Sequence, residues 1–549
     1  MNQNRIRSTA VALLLVALPG LCAASPSDEQ RCLVAKHKAV GKHQGCMLRS
    51  LAAAVLESGT PDSISCDDSL QKAFAGAEDR YGSSCRTSGD ASVLASRGAD
   101  LAGALDVLLD PGSADAGQLA CIAGKIEAAG RFASCIEKAE TKVISKGLLF
   151  LDDSRCNAKL AATVTKVEGE GSCPAGGDAA SIETAVEAAF REGEADLANL
   201  GTADFAGPGR YHTTSRTFTF VDSTRATRPN GTYEGAPDRT LVAAVTYPVF
   251  SETTGKLPLV VRAHGFGGFR FDSTELVDHL ASHGMIVVSP EFPLSSLNAP
   301  GGPTLVDLDE QVVDVGFIID QVLALSATPG SFLEGKIDAS RIGVLGHSLG
   351  GATVLGAAYH PTLADPRIKA VVALAPLACF FEHEFYSGGT APLMIVSGTA
   401  DIVTLPTSNH LAAYSDANPE KYLVSLDGGL HTNFISDFLH DDSINADDAL
   451  ACPSLIPPGS PRPVTLEVTI PDDFLGGAAA GVDTTASACE PICPLPGPTW
   501  MAHGRQIELG EAAATAMFER AFFSSGPADR MLTERLDGEN ADVAISYER

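Results

Sequence analysis

At 549 residues the chain is longer than one hydrophobic core ordinarily supports, so more than one folding unit is expected. Its 68 acidic against 39 basic side chains give a formal charge of -29, which repels phosphate backbones and argues against nucleic acid as a partner. The same acidity favours solubility.

Residues 1–24 read as an export signal: Arg5 and Arg7, then the apolar run "AVALLLVALPG", then small residues ahead of Ser25, with cleavage expected near Ala24. The run is short for a bilayer and no other uninterrupted stretch of about 18 apolar residues follows, so no transmembrane segment is expected. A lipoprotein anchor at Cys22 is the competing reading, although Leu21 stands where such signals want a small residue. Without the leader, which carries only Arg5 and Arg7 as charged groups, 37 basic side chains face 68 acidic ones, a formal charge of -31. Twelve cysteines remain, an even number suited to disulfides in a periplasmic or extracellular protein.

The first eight of these cysteines describe a duplication. Cys32, Cys46, Cys66 and Cys85 are separated by 13, 19 and 18 residues; Cys121, Cys135, Cys156 and Cys173 by 13, 20 and 16. "CLVAKHKAVGKHQGC" aligns with "CIAGKIEAAGRFASC" and "CRTSGD" with "CPAGGD", a repeat of about 89 residues that places one copy in 25–112 and the next in 113–203. Both copies are rich in Ala and Lys, which favours helix. Cys32 and Cys46 lie four turns apart on nearly one face, and "SGTPDS" reverses the chain, so a second antiparallel helix predicts nested bridges. The expected pairs are Cys46–Cys66 inside Cys32–Cys85, and Cys135–Cys156 inside Cys121–Cys173. "ASVLASRGADLAGALDVLL" and "ASIETAVEAAFREGEADLANL" read as a third helix closing each copy. The spacings are wrong for zinc. The array resembles Cys-rich helical repeats of exported proteins, a resemblance that implies no activity, and its partner is unknown.

From about residue 204 the texture changes to "RTFTFVD", "RTLVAAVTYPVF" and "KLPLVVRAHGFGG", after which strand-like and helix-like runs alternate. "GMIVVSP", "RIGVLG", "IKAVVALAP", "APLMIVSGTAD" and "KYLVSLDGG" read as buried strands, with "STELVDHLASH" and "VDLDEQVVDVGFIIDQVLAL" as helices. That alternation predicts a mostly parallel α/β sheet covered on both faces, which presents ligand sites at the carboxyl ends of its strands.

"G-H-S-L-G-G" within "RIGVLGHSLGGATVLGAAYH" is a strand-to-helix turn with Ser348 at its tip, the strand ending at Leu345 and the helix beginning after the serine. Glycines are expected there to accept strained backbone angles and close neighbours. A serine hydroxyl at neutral pH needs a base within hydrogen-bond reach and a carboxylate to orient that base. Asp401 follows the strand "APLMIVSG", and His431 follows the next one in "SLDGGLHTNF". His410 and His440 are rival bases, set aside as too near Asp401 and as solvated in "FLHDDS"; Asp427 and Asp365 are rival acids on the wrong side of their strands. For an oxyanion, the N–H of Leu349 and that of Phe266 in "HGFGG" are the expected donors. "GFGGF" lacks the spacing and the Lys-Ser/Thr of a phosphate loop.

Over about residues 205–435, with a final helix at "GRQIELGEAAATAMFERAFF", the chain resembles the α/β-hydrolase superfamily. It is most similar to the branch of platelet-activating-factor acetylhydrolase, chlorophyllase, dienelactone hydrolase and cutinase-like polyesterases. The resemblance rests on "HGFGG", "HLASHGMIVVSPEFP", "IDASRIGVLGHSLGG", "SGTADIV" and "GGLHTNF". It implies a carboxylic-ester hydrolase over 204–549, acting through Ser348, Asp401 and His431 with Phe266 and Leu349 at the oxyanion hole and no cofactor or metal. Ser348 stands where the dienelactone branch has cysteine, and the sole tryptophan, Trp500, falls in a late insertion rather than in an aromatic clamp.

That insertion, about 440–503, is rich in Pro, Gly and Asp and holds Cys452, Cys489 and Cys493; with Cys379 these allow three pairings. Cys489–Cys493 closes a tight loop, and Cys379–Cys452 ties the insertion beside the serine; the spacing does not choose. Phe380, Phe381 and Phe385 are either a wall of the cleft or core, and Glu382, His383 and Glu384 either a metal cluster or a solvated turn, the latter favoured. The expected activity is hydrolysis of a small-molecule, lipid or polymeric ester; the alternatives are amide or peptide cleavage by the same residues, or a surface-binding protein with a vestigial hydrolase scaffold.

Overall fold

The computed structural model describes residues 26–549 except 113, 147–150, 152, 171–172, 175, 251–255, 419, 436–447, 449–451, 453–470, 484, 486–488 and 495–499. The expected leader with Cys22, and His440, lie outside the described residues.

The amino-terminal region is all helix, in two copies. Helices α1 (Asp28–Glu57), α2 (Ile64–Tyr81) and α3 (Ala91–Leu109) form one; α4 (Ala116–Lys146), α5 (Ser154–Glu170) and α6 (Ala179–Ala198) form the other. Ser27 opens α1 with a capping box closed by Gln30, which satisfies two of the backbone groups left over at a helix start. The structure pairs Cys32 with Cys85 and Cys46 with Cys66, Cys121 with Cys173 and Cys135 with Cys156, the nested order expected from the spacing. Helices α1 and α4 approach closely where Gly130 of one meets Gly45 of the other, and Ser134 donates to the Gly41 carbonyl at 2.7 Å. One buried lysine recurs in each copy. Lys36 pairs with Glu78 at 2.8 Å and Asp90 at 2.6 Å, and Lys125 pairs with Glu168 at 3.0 Å and with Asp178. A buried ammonium is tolerated only with such partners.

A short helix α7 (Thr202–Ala206) leads into nine strands: β1 (Thr213–Asp222), β2 (Arg239–Pro248), β3 (Leu257–Ala263), β4 (Ile286–Glu291), β5 (Ile337–His347), β6 (Ile368–Leu374), β7 (Leu393–Gly398), β8 (Lys421–Leu426) and β9 (Val543–Glu548). They form one sheet in the order β1-β2-β4-β3-β5-β6-β7-β8-β9. The pairs from β4 through β8 are parallel, whereas β1–β2, β2–β4 and β8–β9 are antiparallel. Alternation along the strands divides the core into two layers. Val261, Val344, Val371 and Ile395 point to one face, covered by α9 (Leu308–Ala327) and α10 (Leu349–Tyr359). Val260, Leu345, Val372 and Val396 point to the other, covered by α8 (Thr274–Ser282) and α12 (His503–Phe523). Helix α11 (Ala412–Asp416) lies between β7 and β8 in the chain. This is the mostly parallel, doubly covered α/β sheet that the strand and helix runs predict, in the α/β-hydrolase order.

One expectation is corrected, and one left open is decided. The helix expected to be last, α12, is followed by α13 (Gly526–Arg530), α14 (Leu536–Glu539) and strand β9, which pairs with β8 along its length. "DVAISYE" is too short to announce itself, and only the exposed ladder of β8 gives it a partner. Of the two readings open for Phe380, Phe381 and Phe385, the core is the one found: they pack with Phe474 under the sheet, with 4%, 3% and 0% exposure. His383 is exposed and hydrogen-bonds the Asp416 carbonyl at 2.7 Å. Among the described residues no group of His, Cys, Asp and Glu is arranged to hold a metal ion, and no helix is long and apolar enough to cross a membrane.

Candidate active site

A sharp strand-to-helix turn lies at the carboxyl edge of the sheet. Strand β5 runs two residues further than expected, to His347, and α10 begins at Leu349, leaving Ser348 alone between them at φ 56° and ψ -119°. Such a backbone is costly for a residue with a β-carbon. Hydrogen bonds hold it there: Ser348 N–H donates to the Leu374 carbonyl at 3.0 Å, and its own carbonyl accepts from Leu377 N–H at 3.0 Å and Ala352 N–H at 3.2 Å. The strain thus falls on the serine, not on the flanking glycines as expected. Those glycines are required by crowding, since a side chain at Gly350 would run into the carbonyls of Ala263 and His264 at the end of β3.

Asp401 leaves the end of β7 and His431 the end of β8, and the parallel sheet brings both to the serine. Ser348 Oγ lies 2.9 Å from His431 Nε2, and His431 Nδ1 lies 2.9 Å from Asp401 Oδ2. The acid is fully satisfied. Its Oδ1 accepts from Val403 N–H at 2.8 Å and Thr404 N–H at 2.9 Å, and its Oδ2 accepts from the Thr404 hydroxyl at 2.8 Å as well as from the imidazole. Burial alone would lower the pKa of His431, but the Asp401 charge and hydrogen bond outweigh it, and the imidazole pKa is raised. Burial likewise opposes ionisation of Asp401, which His431 overcomes, so that its pKa is lowered.

Three further histidines frame this set. His410, the rival base, is buried 3.9 Å from Asp401 Oδ2, accepts from Ser397 Oγ at 2.7 Å through Nδ1 and donates to Thr404 Oγ1 at 3.1 Å through Nε2. Burial drives its pKa down to about 4, so it stands neutral behind the acid and does not reach the serine. His347 donates from Nε2 to the His431 carbonyl at 2.9 Å, tying the histidine loop to the turn. His264 accepts from Phe292 N–H at 2.9 Å and reaches the Gly265 carbonyl at 2.8 Å, shaping the "HGFGG" loop. Gly265 lies so close to the turn that a β-carbon there would stand 3.3 Å from Ser348 Cβ. Phe266 follows Gly265 in this loop, and Leu349, first residue of α10, has an N–H that no intrahelical partner uses. Asp427 directly follows β8 and accepts from Thr399 at 3.4 Å, while Asp365 pairs with Arg367; neither meets His431.

Sequence reasoning missed Asp448. It comes from the 440–503 insertion, is fully buried, and accepts from Thr432 N–H at 3.0 Å and Ile402 N–H at 3.3 Å, the residues directly after His431 and Asp401. No motif marks it. The insertion's cysteines also pair in the third way: Cys379 with Cys489 and Cys452 with Cys493, rather than the tight Cys489–Cys493 loop with Cys379–Cys452. Cys452 and Cys493 are both buried with Ile402, Val403 and Ile492, so packing against the acid loop selects the partner. Trp500 is 42% exposed and borders a cavity of about 600 Å³ beside Thr399, Asp427 and Arg505.

Comparison with known proteins agrees with the sheet. A family model described as PETase, PET hydrolase-like, matches residues 217–439. The platelet-activating factor acetylhydrolase of Canis lupus familiaris is 28% identical over 222 residues, 33% of this chain and 49% of its own length. Cutinase 1 of Thermobifida cellulosilytica is 24% identical over 190 residues, 34% of this chain and 64% of its own. The cutinase of Thermobifida fusca (strain YX) is 24% identical over 190 residues, again 34% of this chain, and 56% of its own. The chain thus spans about half to two thirds of the length of these curated relatives. With the strand order and the matched region taken together, the sheet has the α/β-hydrolase fold, and the matched region is similar to the platelet-activating-factor acetylhydrolases and cutinases.

Proposed function

We propose that the chain is an exported serine hydrolase that cleaves carboxylic esters through an acyl-enzyme. The observation that carries this reading is the continuous hydrogen-bonded line from Ser348 Oγ through His431 to Asp401, each link 2.9 Å, at a strained turn of the carboxyl edge of the sheet. His431 Nε2 takes the hydroxyl proton as Ser348 Oγ bonds to the ester carbonyl carbon. The N–H groups of Leu349 and Phe266 hold the resulting oxyanion, each donor lowering the barrier by about 3–4 kcal/mol. The imidazolium, stabilised by Asp401, then gives its proton to the alcohol oxygen as the carbon–oxygen bond breaks and the alcohol leaves. Water, deprotonated by the same imidazole, attacks the acyl-serine; the acid departs and Ser348 recovers its proton.

The catalytic unit is 204–549 and the two repeats, 25–112 and 113–203, are a stapled appendage. Export is supported by six disulfides, which persist in oxidising compartments. An ester substrate is supported by the names of the relatives, cutinase and acetylhydrolase, and by the PET hydrolase-like match. A fluorophosphonate probe should label the wild type and not Ser348→Ala, and p-nitrophenyl esters should outpace the matched anilides. An unlabelled wild type returns the chain to the binding-protein reading, and faster anilide turnover makes it an amidase.

A further inference from the structure

Asp448 carries more than the fold requires of it. Its Oδ1 accepts from Thr432 N–H at 3.0 Å and Thr432 Oγ1 at 3.2 Å, and its Oδ2 accepts from Ile402 N–H at 3.3 Å. One carboxylate therefore spans the two loops that deliver the base and the acid, gripping each at the residue next to His431 or Asp401. Its own backbone is strained, with φ 46° at a non-glycine residue. The carbonyl of Asp448 accepts from Cys452 N–H at 3.1 Å, Cys452 is bridged to Cys493, and Cys493 N–H donates to the Ile402 carbonyl at 2.6 Å. Ile402 is thus held at its N–H by Asp448 and at its carbonyl by the far end of the same bridge. Around this clamp lie Ile402, Val403, Ile492 and the two buried cysteines, an apolar setting in which a lone carboxylate is expensive.

The charges facing Asp448 are those of Asp401 and His431, and burial with Asp401 repulsion raises its pKa to about 6. The charges bearing on His431 are Asp401 and Asp448, since burial lowers the pKa of its neighbour His410 to about 4 and pushes that of His347 well below the usual imidazole value, favouring the neutral ring in both. Fold stability alone gives no reason to keep such a group here, because a neutral side chain would avoid the buried charge.

We infer that Asp448 is a positioning residue of the active site: with the Cys452–Cys493 bridge it locks the acid loop to the histidine loop and holds a second negative charge beside the imidazolium. This rests on the Ser348–His431–Asp401 reading. The clamp touches neither Ser348 nor a substrate acyl group, so its effect falls on the chemical step and not on ester binding.

The test measures kcat, KM and the pH profile of kcat/KM on p-nitrophenyl acetate for the full chain, with thermal melting as the check on folding. In Asp448→Asn the amide oxygen keeps Thr432 N–H, but the amide nitrogen opposes Ile402 N–H and the charge is gone. The expected result is a fall in kcat of about 10-fold to 100-fold with KM within about twofold, since misplacement of a catalytic pair costs rate rather than affinity. The acid limb of kcat/KM should also move down by roughly half a pH unit, because His431 loses a neighbouring negative charge. Cys452→Ser with Cys493→Ser, which keeps the carboxylate but frees it, should lower kcat to a similar extent, and this variant decides the matter if Asp448→Asn fails to fold. Wild-type kcat and an unmoved acid limb in either folded variant, whatever its melting temperature, overturn the inference. A wild type that hydrolyses no ester and takes no label at Ser348 overturns the underlying reading and the clamp together, a result distinct from an active wild type indifferent to Asp448.

Discussion

Ser348 holds the backbone conformation that an alanine or serine adopts least readily, φ 56° and ψ -119°, and nothing but glycine relieves it. The usual order of substitutions should therefore invert. Ser348→Gly and Ser348→Ala both lose the Oγ hydrogen bond to His431, so their difference reports the backbone alone. Ser348→Gly should be the more stable by about 1 kcal/mol in chemical denaturation, where alanine normally wins by a similar margin. Equal stability, or a more stable alanine variant, removes the claim that the turn is strained. The meeting of Ser348, Asp401 and His431 is legible in the sequence because each follows a recognisable strand, and a parallel sheet gathers such ends at one edge. Asp448 was illegible for the opposite reason. It follows no strand, and its role comes from the backbone N–H groups of Ile402 and Thr432, which no spacing reveals.

Helix α12 crosses the sheet at its centre because β5 offers no side chain at Gly343. A β-carbon there would meet Phe518 Cε1 at 2.5 Å and Phe522 Cζ at 2.9 Å, two rings that stack with centroids 5.5 Å apart. Gly343→Val should overpack this contact and cost about 1–3 kcal/mol, read as a lower midpoint in urea, and Phe518→Leu added to it should recover part of the loss. A valine variant as stable as the wild type means that α12 sits elsewhere. At this scale the apolar strands and the amphipathic helices were readable from their periods, as was the nested bridging of the repeats, because Cys32 and Cys46 fall 14 residues apart on one helix face. The pairing of Cys379, Cys452, Cys489 and Cys493 was not, since it depends on which loop packs on which, and β9 was not, since its partner ladder on β8 lies far away in the chain.

The two regions of the molecule meet through charge. Arg530 of α13 pairs with Asp196 of α6 at 2.7 Å, Arg86 pairs with Asp204 at 3.0 Å, and Gly526 N–H donates to Glu194 at 3.3 Å beside a cavity of about 800 Å³. Enclosure, and then repulsion from Glu140, raise the Glu194 pKa to about 8, against the opposing pull of His37. A carboxyl with a raised native pKa holds its proton more tightly when folded, so ionisation weakens the folded state progressively as pH rises from the unfolded value of 4.5 towards 8. Glu194→Gln should match the wild-type melting temperature near pH 4.5 and exceed it at pH 8 to 9; an unchanged difference between those pH values contradicts the assignment. How the repeats and the sheet share this interface lay beyond the sequence, because Glu194 and Gly526 are far apart in the chain and carry no pattern. The central claim, an acyl group carried on Ser348, is tested most directly by stopped-flow turnover of p-nitrophenyl acetate with intact-mass measurement of the quenched enzyme. The account predicts a burst of about one nitrophenolate per chain and a mass gain of one acetyl group on the peptide bearing Ser348, both lost in Ser348→Ala. Hydrolysis that survives in Ser348→Ala at the wild-type rate, with no acetyl on that peptide, contradicts it.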